Sequence, residues 1–184
     1  MSSIARLIGS KKGQALIELT LVFPLMLTLI YGAVEVGSVI STYLAITHTT
    51  REGANLTSRG TDPNVALDAI ITASAPTIRN NNQGQWRVIY SRITQKPGIP
   101  CPPKPCIYRI ESQIIRGNFA QTSEIGTVNQ DITISGIQDV DPGQTFHAIE
   151  VFYDYTPNVM TYVGSQLINT TFYDRSIFTN VSNS

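Results

Sequence analysis

Hydrophobic positions fall into three regimes along the chain. From Leu19 to Val34 there is no charged residue, and widening the window to about 15–39 admits only Glu18 and Glu35. A helix rises about 1.5 Å per residue, so about 20 such residues cross the ~30 Å hydrocarbon core of a bilayer. The segment is long enough to span a membrane once. Between Glu35 and Ser58 there is no proline, and Val36, Val39, Ile40, Tyr43, Ile46 and Ala54 recur at helical intervals. The helix is therefore expected to continue beyond the apolar run and to stop at Arg59-Gly60. From Gln14 this makes one rod of about 45 residues, roughly 65 Å. Pro24 removes one backbone bond inside it, which either kinks the helix or is tolerated in lipid.

Thr61-Asp62-Pro63-Asn64 opens a second, shorter helix, with Asp62 suited to the N-cap and Pro63 to the first turn. Val65, Ala66, Ala69, Ile70 and Ala73 give its expected buried stripe, and Pro76 its expected end. Strand signals follow. Trp86 to Thr94 alternates, with Trp86, Val88 and Tyr90 on one face. Ile107 to Ile115 places Tyr108, Ile110 and Ile114 on one face. Ile149, Val151, Tyr153 and Tyr155 mark a half-buried strand, a further strand runs from about Ile168 to Thr179, and Asp131 to Ser135 forms a short one. The stretch from Gly117 to Gly143 is otherwise long and polar. The predicted fold class is α+β: a long N-terminal helix, transmembrane in its first half and amphipathic in its second, packed on an antiparallel sheet. Three regions result: a basic leader over 1–13, the helix over 14–60 and an extracytoplasmic α+β domain over 61–184.

Charge sharpens this picture. The 184 residues carry 13 Lys+Arg and 13 Asp+Glu, a net charge of zero, so nothing favours a nucleic-acid partner. Charged residues are 14% of the chain, below the roughly 25% usual in soluble domains. Arg6, Lys11 and Lys12 precede the apolar run with no acidic residue before Glu18. The positive-inside rule then puts the N-terminus in the cytoplasm and the C-terminal domain outside. Both cysteines, Cys101 and Cys106, lie in the run CPPKPC. A small loop-closing disulfide suits an oxidising compartment; two free thiols are the alternative.

An ionisable group inside an apolar span costs a few kcal/mol and is a functional residue by default. Glu18 is such a group, and its surroundings carry a resemblance. Lys12-Gly13-Gln14-Ala15-Leu16-Ile17-Glu18 resembles the processing site of type IV prepilins, in which a membrane aspartyl peptidase cuts after a glycine and the fifth residue beyond it is glutamate. The apolar run with Pro24, Tyr31, Gly32, Glu35 and Gly37, followed by Arg51-Glu52-Gly53-Ala54, is similar to the TadE-like minor pilins (pseudopilins) of the tight-adherence pilus system.

The resemblance implies cleavage by prepilin peptidase after Gly13, with Gln14 as the new N-terminus. It implies a role in pilus assembly or priming and in adhesion, with Glu18, Pro24, Gly32, Glu35 and Gly37 in subunit assembly. The implied partners are the peptidase, a second pseudopilin, major pilin subunits, the inner-membrane assembly platform and the membrane itself. The implied location is the bacterial cytoplasmic (inner) membrane as a single-pass protein, with the domain periplasmic or extracellular, or the pilus.

An unprocessed single-pass anchor bearing a binding domain is the main alternative. No catalytic motif, metal motif or cofactor signature is present: His48 and His147 stand far apart, and Asp139 and Asp141 beside Pro142-Gly143 read as an ordinary turn. An enzyme is not expected.

Overall fold

A computed structural model describes residues 11–78, 86–96, 106–134, 144–157 and 170–180. The fold is α+β: a long helix α1 (Lys11–Ser58), a second helix α2 (Pro63–Ile78), and strands β1 (Trp86–Gln95), β2 (Tyr108–Gly117), β3 (Asp131–Ile132), β4 (Thr145–Tyr155) and β5 (Thr170–Thr179). The strands form one antiparallel sheet in the order β3-β2-β1-β4-β5. The outer half of α1 and α2 lie side by side on one face of the sheet.

Each helix end has an identifiable chemical cause. At the end of α1 the Thr61 N–H donates to the Leu56 carbonyl and the Gly60 N–H to the Thr57 carbonyl, with Gly60 at φ +88°. This paired pattern satisfies carbonyls that the helix end leaves open, and glycine enters the left-handed region without strain. α2 begins as expected: Asp62 Oδ1 accepts from the Asn64 N–H at 2.9 Å and the Val65 N–H at 3.3 Å, with Pro63 next in sequence. Pro76 does not end α2, which passes it and closes at Ile78. Within the last turn a proline forfeits only one helix bond.

The buried stripe of α2 is Ala66, Leu67, Ile70 and Ser74, whereas Val65, Ala69 and Ala73 are exposed. The expected stripe was rotated because small alanines repeat with the same period as the bulky pair. The volume of Leu67 and Ile70 decides which face packs.

The strands fall close to their expected spans, with β3 shorter, and two features differ from the pattern. First, the β1–β2 register shifts between Arg92 and Ile93: Arg92 opposes Ser112, Ile93 opposes Ile110, and Glu111 is left over. A bulge of this kind reverses which side chains share a face. Ile114 joins the helix-side core with Val88, Tyr90, Ile149 and Val151, while Tyr108 and Ile110 join a second core with Ile93, Phe146 and Ala148 on the opposite face. Tyr108, Ile110 and Ile114 therefore do not share one face.

Second, β4 is not half-buried. It is buried on both faces along nearly its whole length. The polar stretch after β2 explains this, because Ile125, Ile132 and Ile134 pack over the second core. Phe152, Tyr153 and Tyr155 are core residues.

Gly53 is a point of close contact between layers. A Cβ there would meet Ile70 Cδ1 at 2.7 Å and Ile149 Cγ1 at 3.2 Å. The Gly53-Ala54 pair thus lets α1 touch α2 and β4 at once. Gly53→Val is expected to lower stability by about 1–3 kcal/mol through overpacking. Gly53→Ala should lose less, because alanine regains about 1 kcal/mol of helix propensity. Denaturant unfolding of the detergent-solubilised chain measures both.

Candidate functional site: the apolar helix and its clasp on the sheet

α1 has two environments. Over Gln14–Val34 nearly every side chain is exposed; Leu21 is 71% and Leu29 65% exposed. The most apolar window within Gly13–Ser58 has mean hydropathy 1.9 and no buried share. About 21 residues at about 1.5 Å each give ~32 Å, the thickness of a bilayer core. A helix that is hydrophobic all round and packs on nothing among the described residues is suited to lipid. Both threonine hydroxyls within it bond back to their own helix. Thr20 Oγ1 donates to the Ile17 carbonyl at 2.8 Å, and Thr28 Oγ1 to the Pro24 carbonyl at 2.9 Å. Such back-bonding removes the cost of a bare hydroxyl in an apolar medium.

The expected processing and assembly residues lie on this rod. Gly13 and Gln14 sit in the first turns of α1, because the helix begins at Lys11. Glu18 is exposed one turn later and accepts a 3.2 Å hydrogen bond from Gln14 Nε2. Pro24 lies inside the helix. Gly32 and Gly37 have nothing within 4 Å of a notional Cβ, so both leave open space beside the rod.

Glu35 behaves differently. It is only 5% exposed, and Tyr155 at the end of β4 donates to its Oε1 at 2.6 Å. Ser38 also hydrogen-bonds Tyr155. Burial, followed by the hydrogen bond and charge of Glu35, pushes the Tyr155 hydroxyl pKa well above its ordinary value, so this donor keeps its proton. The sheet thus grips α1 from Glu35 onward, inside the expected span of about 15–39. The region apolar on every side ends at Val34.

Beyond this clasp, the inward face of α1 is built from small and hydroxylated residues. Thr42, Ile46, Thr49, Thr50, Gly53, Ala54 and Thr57 are all buried. Thr42, Thr49 and Thr57 donate to carbonyls three or four residues back, and Thr50 also donates to Asp174 on β5. Tyr43 meets Phe172 with ring centroids 6.4 Å apart, and Tyr155 meets the same ring at 5.6 Å. Of the apolar positions read from the helical pattern, Val39, Ile46 and Ala54 face inward, while Val36, Ile40 and Tyr43 are exposed.

Two polar centres were not anticipated. Glu150 on β4 has no solvent exposure. It accepts from the Glu124 N–H at 2.9 Å, the Ile125 N–H at 3.3 Å, Tyr173 Oη at 3.0 Å and Ser123 Oγ. This carboxylate fastens the segment after β2 onto the sheet. In the sequence it looks like an ordinary solvent-facing position of a strand. The other centre is His147, with Nδ1 2.9 Å from Tyr90 Oη and Nε2 2.5 Å from Asn180 Oδ1. With Asn180 Oδ1 accepting, Nε2 carries the proton and Nδ1 accepts from Tyr90. Burial holds the His147 pKa below its ordinary 6.5.

A groove of about 340 Å³ between the helices is lined by Ala45, His48, Thr49, Glu52, Ile70, Ala73 and Ser74. Among the described residues no group of three or more His, Cys, Asp or Glu is arranged to hold a metal. Cys106 is disulfide-bonded and packs beside the second core. Cys101 lies outside the described residues, as do Asp139 and Asp141.

Comparison with known families gives one finding: residues 13–55 match the model of a family described as TadE-like protein. The matched region covers the lipid-length rod, the Glu35 clasp and the Gly53-Ala54 contact. No curated protein and no solved structure matches the chain.

Two outcomes follow from this geometry. Tyr155→Phe keeps the ring packing and removes a donor to a buried carboxylate; a loss of about 1.5–3 kcal/mol is expected in denaturant unfolding. For His147 the folded-state pKa is depressed, so the folded form binds fewer protons than the unfolded one. Stability is expected to be full above about pH 6.5 and to fall as pH drops below it. Thermal melts between pH 5 and 7.5 test this, and His147→Gln should flatten that part of the profile.

Proposed function

We propose that this chain, TadE-like over residues 13–55, is a minor pilin (pseudopilin) of a tight-adherence pilus. On this reading it sits in the bacterial inner membrane as a single-pass protein, N-terminus inside, until prepilin peptidase cuts after Gly13. It then serves in pilus assembly or priming, and in adhesion, beside a second pseudopilin and the major pilin. Its role is structural rather than catalytic. The observation that carries the reading is the matched rod itself: about 21 residues exposed on all sides, ~32 Å long, with one carboxylate near its inner end and a folded domain clasped to its outer half.

The chemistry is that of a matched charge. Cleavage creates an α-amine on Gln14, and a neighbouring subunit's Glu18 is the group that neutralises it. Each charge alone is costly in an apolar bundle, and the pair offsets that cost only in the right register. A subunit out of step is therefore penalised, which gives the assembly its axial spacing. Pro24, Gly32 and Gly37 shape the packing surface of the rod. Glu35 contributes by fixing the domain to it. A disulfide between Cys106 and Cys101 fits an oxidising space beyond the membrane.

One observation favours the alternative of an unprocessed anchor. α1 runs without a break through Gly13 to Lys11, so a peptidase has to unwind the first helical turn before it can cut. Helix ends fray easily, which keeps cleavage accessible.

N-terminal sequencing of the protein from membranes containing the peptidase separates the two. Gln14 is expected as the first residue, and Met1 or Ser2 would establish the unprocessed anchor. Glu18→Ala is expected to leave cleavage and membrane insertion in place while the subunit's recovery in sheared pili drops at least tenfold. Unchanged recovery would sink the charge-register mechanism.

A further inference from the structure

The clasp leaves the domain no room to stand clear of the membrane. Glu35 follows Val34 directly within α1, and Tyr155 at the end of β4 holds it. No linker separates the lipid-length rod from the sheet. The distance of a strand residue from the hydrocarbon boundary therefore follows from the ladder register.

Four strand ends meet near the clasp: β1 starts there, β2 ends there, β4 ends and β5 starts. Thr170 opposes Tyr155, Trp86 opposes Tyr153, and Gly117 opposes Arg87. At about 3.4 Å per strand residue, Trp86 stands ~7 Å beyond the level of Tyr155. The polar layer on each side of a bilayer core is about 5–8 Å thick. With the rod in lipid, the first residue of β1 falls in that layer.

The chemistry of this end fits the same layer. Trp86 is partly exposed and packs against the helix-side core, and its indole N–H makes no hydrogen bond among the described residues. The chain after β2 folds over the strand end, where the Asn118 and Phe119 N–H groups donate to the Trp86 carbonyl at 3.0 and 3.1 Å. Phe119 is partly exposed, and Asn118, Thr156 and Thr170 are exposed. Aromatic rings among uncharged hydroxyls and amides suit the interface, where an indole N–H meets ester and phosphate oxygens. The chain carries no charged residue from Tyr155 to Tyr173, a longer run than Leu19 to Val34 in the rod. Its neighbouring cations are engaged elsewhere: Arg87 donates to the Gln121 carbonyl at 2.6 Å, and Arg116 reaches Asn64 and Asp68 on α2. Asp154 adds a negative charge beside the clasp. Among the described residues this end has no basic cluster of the kind that selects anionic lipid, so a zwitterionic surface suits it. A protein partner would need this end lifted off the bilayer, which the clasp prevents.

We infer that the membrane-side end of the sheet, led by Trp86 and Phe119, is seated in the headgroup layer of the bilayer that holds the rod. The inference rests on the membrane-anchored reading and adds a second lipid contact, made by the domain itself. Rod and sheet end together hold the domain against tilting.

Trp86 is the only tryptophan of the chain, so its fluorescence reports on this end alone. In zwitterionic vesicles carrying the full chain, a nitroxide on the lipid headgroup is expected to quench Trp86 about threefold more than one near the end of the acyl chain, and aqueous iodide to quench it weakly. Two variants in a Trp86→Phe background extend the reading. Thr156→Trp, next to the clasp, should respond more to the deeper label than Trp86 does. Phe178→Trp opposes His147, ~27 Å from Tyr155 along β4, and should respond to iodide and to neither lipid label. The seat is overturned if the headgroup label leaves Trp86 unquenched, whether iodide reaches it or not, or if that label quenches Phe178→Trp as strongly. Alkaline extraction of the same vesicles keeps the two readings apart. A chain that washes off refutes the anchor, whereas an embedded chain whose Trp86 escapes the headgroup label refutes only the seat.

Discussion

Tyr155 holds Glu35 out of solvent at the level where α1 changes environment. Everything else in the molecule is arranged about that contact. Below it the helix offers apolar side chains in all directions and depends on a surrounding medium. Above it the same helix, continuous across the boundary, is a layer of a folded domain. A carboxylate is well suited to mark the boundary. In lipid it is costly, and in the domain it has a dedicated donor whose own proton is held by burial. The contact marks where the exposed apolar rod ends and fixes the domain to it as one body.

The fit above the clasp depends on restraint in side-chain size. The inward face of α1 uses threonine, glycine and alanine where a typical core helix uses leucine. Short side chains bring the helix axis close to the sheet, and each hydroxyl returns its hydrogen bond to its own helix or to Asp174. The buried hydroxyls of Thr42, Thr49, Thr50 and Thr57 each have an acceptor, so none of them weakens the layer. The large apolar residues of the same stretch are thereby released to the outer surface. Strand and helix lengths agree as well. Eleven residues of β4 extend ~36 Å and α1 from Glu35 to Ser58 extends about the same, so the domain is as tall as the helix that carries it.

Much of this was readable from the residues. The length of the uncharged run, the stop at Arg59-Gly60, the cap at Asp62 and the alternation of Trp86, Val88 and Tyr90 reflect local chemistry, and each appears where expected. What was not readable depends on distant partners. Glu111 becomes a bulge only because β1 has no residue to oppose it, and that displaces Tyr108 and Ile110 to the other face. Glu150 has the periodicity of a solvent-facing strand position and becomes a buried anchor only when Ser123 and the Glu124 amide arrive. The apolar positions between Val36 and Ala54 have a clear helical period, yet the period does not tell which residues face the domain, because threonine carries the packing. Glu35 was visible as an anomaly in an apolar run; its partner lies 120 residues away.

The central claim is that one continuous helix is lipid-covered all round to Val34 and covered on one side only from Glu35. A spin-label scan along positions 16 to 56 in reconstituted bilayers, with oxygen and a water-soluble nickel chelate as relaxing agents, reads this directly. The account predicts high oxygen and low nickel accessibility at every position through 34. From 35 onward it predicts oscillation with a period of 3.6 residues, minima falling at 42, 46, 49, 53 and 57. Water accessibility in the middle of the first segment, or uniform accessibility through the second, would contradict it.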